Sequence, residues 1–163
     1  MGLMSMLGVR RAQELLNQGL RAVRVGQFPV ARDLFKKSTE CYESAEAVTY
    51  WAWMEHQLGN TLLAIELCER AITIDPDFGN PYNDIGSYLI SLGQLDEAIP
   101  WLKKAIKSKR YESRHYPHIN LAQIFQTKNM PLKAVREYIS ALEFVPGDSS
   151  INEKLENLRK TIN

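Results

Sequence analysis

The chain is short of cysteine and of net charge. Its 163 residues include two cysteines, Cys41 and Cys68, and 20 Lys and Arg stand against 19 Asp and Glu. Both cysteines fall on the apolar stripes of predicted helices, so they read as buried thiols of a reducing compartment rather than as a disulfide or a metal pair. A net charge of +1 gives no global pull toward nucleic acid or anionic lipid. No run approaches the roughly 18 apolar residues that read as a spanning helix. Residues 1–7 lack a basic n-region and carry only a short apolar run, a poor signal peptide, and Met6 stands where myristoylation wants Ser or Thr. There is no G-x-x-x-x-G-K, H-E-x-x-H or G-x-S-x-G motif and no paired-carboxylate pattern, which argues against an enzyme. The expectation from these absences is a cytoplasmic protein with no cofactor, no nucleic-acid partner and no membrane contact.

What the chain does have is a repeat. Leu58-Gly59-Asn60-Thr61-Leu62-Leu63-Ala64-Ile65 lies over Leu92-Gly93-Gln94-Leu95-Asp96-Glu97-Ala98-Ile99 at an offset of 34 residues. Both read L-G-x-x-x-x-A-I, and both reach a second A-I pair, Ala71-Ile72 and Ala105-Ile106. A fixed period of this size means stacked supersecondary units, because one unit alone cannot bury its apolar face. Extending the frame gives four units, 12–44, 45–78, 79–114 and 115–148, the last reached through two extra residues after Lys109. Residues 1–11 stand before them as an N-terminal segment that folds back or frays. Residues 149–163 follow as a capping helix, with Ser150 and Glu153 in a capping-box pattern and Ile151, Leu155, Leu158 and Ile162 forming one apolar stripe.

Apolar residues recur at three- and four-residue spacing within each unit, as in Leu95, Ile99, Leu102 and Ile106, which predicts two helices per unit. Gly19, Ala52, Gly86 and Ala122 fall midway along the first helices, and Ala31, Ala64, Ala98 and Ala134 along the second. Small residues there predict close backbone approach, which must offset the roughly 1 kcal/mol that a helical glycine costs. Gly26, Gly59, Gly93 and Asn129 mark turns in left-handed backbone. Pro100, a turn inside a second helix, is expected to bend it.

These small-residue places and turn glycines, with Trp51, Tyr82, Leu121, Phe125 and the closing Pro76 and Pro146, resemble the tetratricopeptide repeat family over residues 12–148. The pattern is broken by Gln18 and Glu43 in the first unit, Glu55 in the second and Arg110 in the third. The resemblance implies an all-α, right-handed superhelix of four helix–turn–helix repeats plus the capping helix. It also implies a concave groove, lined by the first helices, that holds a peptide or another protein, and it implies no catalysis.

From the frame, the groove residues expected to carry binding are Tyr50, Trp53, Asn83, Asp84, Ser87, Tyr116, Asn120 and Gln123. Tyr50, Trp53 and Tyr116 are of the type enriched in binding hot spots; packing of Tyr50 and Trp53 against neighbouring helices is the alternative. The amides can each donate and accept along an extended peptide backbone. Residues 45–58, 79–92 and 115–127 hold no Lys or Arg, so the carboxylate clamp of chaperone-binding relatives is not expected. Glu46, Glu55 and Asp84 tilt the region acidic, which favours a partner with an apolar anchor and a nearby basic residue.

Lys103, Lys104, Lys107, Lys109, Arg110 and Arg114 crowd the end of the third unit. They read either as a solvated patch favoured by the helix dipole or as a site for an acidic partner. His115 and His118 are three apart, but no cysteine or carboxylate stands at ligand spacing, so no metal is expected. The best-supported function is an interaction module, a scaffold or chaperone-like adaptor. The alternatives are a self-associating scaffold, a homodimer for which an outward Trp101 would serve, and a bacterial secretion or pilus-assembly chaperone. For that last reading the insertion resembles the pilus pilotins, whose lipid-attachment cysteine is missing here.

Overall fold

The computed structural model describes residues 3–162, which form nine helices and no strand, apart from one isolated bridge between Phe78 and Arg110. In chain order they are α1 (Leu3–Arg24), α2 (Phe28–Cys41), α3 (Ala45–Gln57), α4 (Thr61–Ile74), α5 (Asn80–Ser91), α6 (Leu95–Lys107), α7 (His115–Thr127), α8 (Pro131–Phe144) and α9 (Ser149–Lys160). Each helix packs on the next, so four hairpins stack in a row. The first helices also meet across hairpins, α5 touching both α3 and α7. That shared contact makes α3, α5 and α7 one inner layer.

The period-34 residues explain the packing. Ala31, Ala52, Ala64, Ala98, Ala122 and Ala134 are fully buried. At Gly86 an added Cβ would lie 2.5 Å from Leu102 Cδ2, and at Gly19 the same atom would lie 2.5 Å from the Phe35 ring. The helix-to-helix turns use Gly26, Gly59 and Gly93 at φ of 73°, 90° and 77°, and Asn129 at 54°. Asn129 is the one non-glycine with positive φ among the described residues, and asparagine tolerates that region better than other side chains.

Several expectations differ in detail. Residue 12 is not a boundary: α1 runs through it as one 22-residue helix, and at Gly8 an added Cβ would come 3.0 Å from the Cys41 carbonyl oxygen. Residues 1 and 2 of the expected N-terminal segment, and residue 163 of the capping helix, lie outside the described residues. The cap of α9 is Asp148, not Ser150. Gly147 turns the chain at φ 83°, and the Asp148 carboxylate then reaches the Ile151 amide at 2.9 Å. Pro100 sits inside α6, which continues unbroken from Leu95 to Lys107. Cys68 is buried, and burial pushes its thiol pKa up; Cys41, the last residue of α2, is exposed.

Glu55 is 5% exposed yet satisfied, accepting from Trp51 Nε1 at 2.8 Å and Asn60 Nδ2 at 2.7 Å. Glu43, in the place of a closing proline, pairs with Arg70 across to α4. His118 lies against Glu137 at 2.7 Å and stacks on Phe144.

Candidate functional site

A cleft of about 1100 Å³ opens on the inner layer. One wall is α3, which contributes Glu46, Thr49, Tyr50 and Trp53. The floor is α5 with Asn80, Asn83 and Asp84, and Tyr116 enters from the first turn of α7. The remaining wall is the link between α6 and α7, residues 109–114, which we call the strap.

The strap lies where it does because two features hold it. Its backbone pairs with the α4–α5 link: Arg110 N–H donates to Asp77 O at 3.0 Å, and Gly79 N–H donates to Arg110 O at 3.1 Å. Tyr111, 6% exposed, packs directly on Gly79, where an added Cβ would fall 2.4 Å from the tyrosine Cβ and Cγ. Gly79 itself has φ −80° and ψ −23°, an ordinary conformation for any residue. Glycine is needed here for room, not for backbone freedom.

Side chains tie the strap down further. Arg110 donates through Nη1 to Glu46 Oε1 at 2.5 Å and through Nε and Nη2 to Asp75 Oδ2 at 3.0 and 2.5 Å, and its guanidinium lies 4.5 Å from the Phe78 ring centroid. Lys109 pairs with Asp77 at 3.1 Å. These are exposed pairs, each worth roughly 0.2–1 kcal/mol; two carboxylates on one guanidinium fix its position more than they stabilise the fold. Arg114 donates through Nη2 to Ser108 O at 2.9 Å, and among the described residues it pairs with no carboxylate.

Five of the eight expected groove residues therefore come together: Tyr50, Trp53, Asn83, Asp84 and Tyr116. Ser87, Asn120 and Gln123 lie on α5 and α7 but outside the cleft lining. Asn120 Nδ2 donates to Asn83 Oδ1 at 3.1 Å, so these two amides bridge α5 and α7 instead of standing ready for a peptide. Tyr50 is half-buried and stacks on Phe35 at 5.2 Å. Trp53 is 36% exposed and Tyr116 53%.

The basic patch is not one patch. Lys103, Lys104 and Lys107 are exposed on α6 away from the cleft, with Lys104 Nζ 4.6 Å from the centre of the Trp101 ring. Arg110 and Arg114 line the cleft with Lys109. Residues 45–58, 79–92 and 115–127 hold no Lys or Arg, but the cleft as a whole is not free of cations, because Lys109, Arg110 and Arg114 line it from the strap. Sequence reasoning missed Phe78, Tyr111, Glu112 and Ser113 as lining residues; the two-residue insertion after Lys109 was the signal for them. Trp101 is half-buried with Tyr82 tilted on it at 6.1 Å, so Tyr82 and Lys104 cover much of the ring proposed for self-association.

Asp84 is half-buried on the cleft floor, and burial pushes its carboxyl up to about 7. Asn83 Nδ2, at 3.5 Å, opposes this weakly and is its one hydrogen-bond donor among the described residues. No group of three or more His, Cys, Asp or Glu that could hold a metal occurs among the described residues, and no described helix is long and apolar enough to cross a membrane.

The tetratricopeptide repeat profile matches residues 52–78 and 80–111, the second and third hairpins. The second and third hairpins are thus tetratricopeptide repeats, and the whole stack is the right-handed superhelix of helix pairs that repeats of this class form. Among solved structures it is similar to pilF of Pseudomonas aeruginosa, at 20% identity over 93% of this chain and 69% of that one, with a TM-score of 0.85. It is also similar to YrrB, described as a TPR protein with an unusual peptide-binding site, at 18% identity over 90% and 74% of the two chains, TM-score 0.69. The first TPR of Spaghetti (RPAP3), bound to the HSP90 peptide SRMEEVD, matches at 18% identity over 74% of this chain and 98% of that one, TM-score 0.68. At these identities the likeness is one of fold. No sequence among the curated proteins matches.

Proposed function

We propose that the cleft between α3, α5, α7 and the strap binds an extended segment of another protein, and that the chain works as an adaptor or scaffold with no catalytic role. The observation that supports this best is a large open cleft presenting two exposed aromatic side chains, Trp53 and Tyr116, beside polar groups. Aromatic rings beside polar groups are the common composition of binding hot spots. YrrB and Spaghetti, which share the fold, are both described with peptides or a peptide site. The segment need not end in a carboxylate at the cleft, since Arg110 is engaged by Glu46 and Asp75 and α3, α5 and α7 hold no Lys or Arg.

Burying two or three anchors at ~1.5–3 kcal/mol each falls short of the ~8 kcal/mol of a micromolar complex unless hydrogen bonds add to it. Micromolar or weaker binding is therefore expected. The test is selection of a displayed library of short random peptides on the immobilised full chain, followed by titration of a synthetic winner. Trp53→Ala should weaken that peptide at least tenfold while circular dichroism keeps its helical signal. Undiminished binding by Trp53→Ala and by Tyr116→Ala would mean that the cleft is not the site.

A further inference from the structure

Resting on that peptide-binding reading, we propose that Asp84 is the counter-charge for one basic side chain of the bound segment, a lysine or arginine that enters the cleft lined by Trp53 and Tyr116. Three acids make the inner face of α3 and α5 acidic in the sequence, and among the described residues the structure leaves one of them with no cation and only a weak amide contact. Glu46 is taken by Arg110, and Glu55 is buried beneath donors from Trp51 and Asn60. Asp84 keeps a single weak amide contact and lines a cleft roomy enough for a side chain. A half-buried carboxylate with no cation is unfavourable when ionised, and a ligand cation relieves that cost. The faces of aromatic rings attract cations as well.

The charges around it limit what else could bind. Lys109 is held by Asp77, and Arg110 by Asp75 and Glu46, so neither reaches down to neutralise Asp84. Arg114, without a carboxylate, stands on the strap side and disfavours a second basic residue there. The segment should thus carry one positive charge at the floor, not a basic run. An acidic segment would meet Asp84 directly.

Titration gives the proposal a second readout. Asp84 is faced by Asn83 and Tyr88 of its own helix, by Cys68 of α4 and by Tyr111 of the strap. Tyr88 stacks on His56 of α3, whose pKa burial lowers, and Glu46, Glu112, Arg110, Arg114, Lys109 and Tyr116 complete the lining. With its carboxyl at about 7, Asp84 loses its charge as pH falls through neutrality, while the strap cations keep theirs. Affinity for a basic peptide then falls with acid.

The experiment uses the library-selected peptide and a partner in which its Lys or Arg is replaced by Gln. Wild type should select sequences with one basic residue beside an apolar or aromatic one. Asp84→Asn should weaken the basic peptide roughly tenfold and leave the Gln peptide unchanged. Between about pH 7 and 5.5, wild-type affinity for the basic peptide should drop by up to tenfold per unit, and Asp84→Asn should stay flat. Selection of neutral or acidic sequences, or an Asp84→Asn variant that keeps the wild-type preference for the basic peptide over the Gln peptide, would overturn the assignment of Asp84; if Trp53→Ala still abolishes those complexes, the peptide-binding reading survives. Peptides held independently of Trp53 and Tyr116 would overturn both.

Discussion

Gly79 and Tyr111 offer the sharpest test of how the cleft is built. With φ −80°, Gly79 could accept a side chain without backbone strain, and replacing such a glycine by alanine ordinarily stabilises by about 0.4–1 kcal/mol. Here the new Cβ would lie 2.4 Å from Tyr111 Cβ and Cγ, so the strap must move. Forcing an extra carbon into a packed contact costs about 1–3 kcal/mol. Gly79→Ala should therefore destabilise by up to ~2 kcal/mol, against the usual sign. The partner change must be Tyr111→Gly, because alanine at that position would keep the clashing Cβ. In the Tyr111→Gly background Gly79→Ala should turn neutral or mildly stabilising, giving a coupling of about 1–3 kcal/mol in a double-mutant cycle read by urea denaturation. Hydrogen exchange supplies the local readout. The Arg110 amide, bonded to Asp77 O, should exchange about tenfold faster in Gly79→Ala for each ~1.4 kcal/mol of local loosening. Additive free energies, or an unchanged Arg110 amide, would refute the claim that this contact seats the strap.

Asp84→Asn without any ligand should show its effect through pH. The native group binds its proton up to about 7 and the unfolded one only up to about 3.9, so its contribution to stability is full below pH 4 and is lost as pH rises through 7. After discounting for water in the cleft, the variant should gain about 1–2 kcal/mol at pH 8, or roughly 2–8 °C in Tm, and nothing at pH 4; an equal gain at both pH values would show that the charge is not the cause. Gly86→Ala places a Cβ 2.5 Å from Leu102 and should destabilise by about 1–2 kcal/mol although alanine is the better helix former. Leu102→Ala, which removes both Cγ and Cδ2, should cost less in the Gly86→Ala background than in wild type when read by thermal unfolding, and additive losses would argue against close approach of α5 and α6.

The helices, the turns and their order were readable because each depends on residues close in sequence. A leucine, a glycine and an alanine at fixed spacing specify where a helix stops, where the backbone turns left-handed and where the next helix must come close. Asn129 shows how far this goes: it stands in a glycine's place and adopts a glycine's conformation, φ 54°. The cleft was less readable for the same reason. Its strap is positioned by Tyr111 against Gly79 and by Arg110 against Glu46, pairs 32 and 64 residues apart, and no local pattern encodes such meetings. Asn83 and Asn120 look like free amides in the sequence and bond to each other in space. Cys41 sits on an apolar stripe that ends with its helix, so it has nothing left to pack under.

The insertion after Lys109 therefore does more than lengthen a connection. In the second unit the chain passes from α4 through Pro76 into the next first helix. In the third, two added residues let the link fold back over α5, and Arg110, where a closing proline is usual, reaches Glu46 on α3. That reach removes one acid from the inner face and adds a wall to an otherwise open groove. Without it the face would offer Glu46 and Asp84 together, a wide acidic surface suited to any basic segment. With it the cleft offers Asp84 at the floor and, on the strap, Arg114, which is bonded to the Ser108 carbonyl but paired with no carboxylate among the described residues; on the proposed reading that separation suits a segment of defined charge order. On the proposed reading, the selectivity of the groove is set by the connection between two repeats more than by the helices that line it. Arg110→Ala, by freeing Glu46, should broaden the set of basic peptides bound.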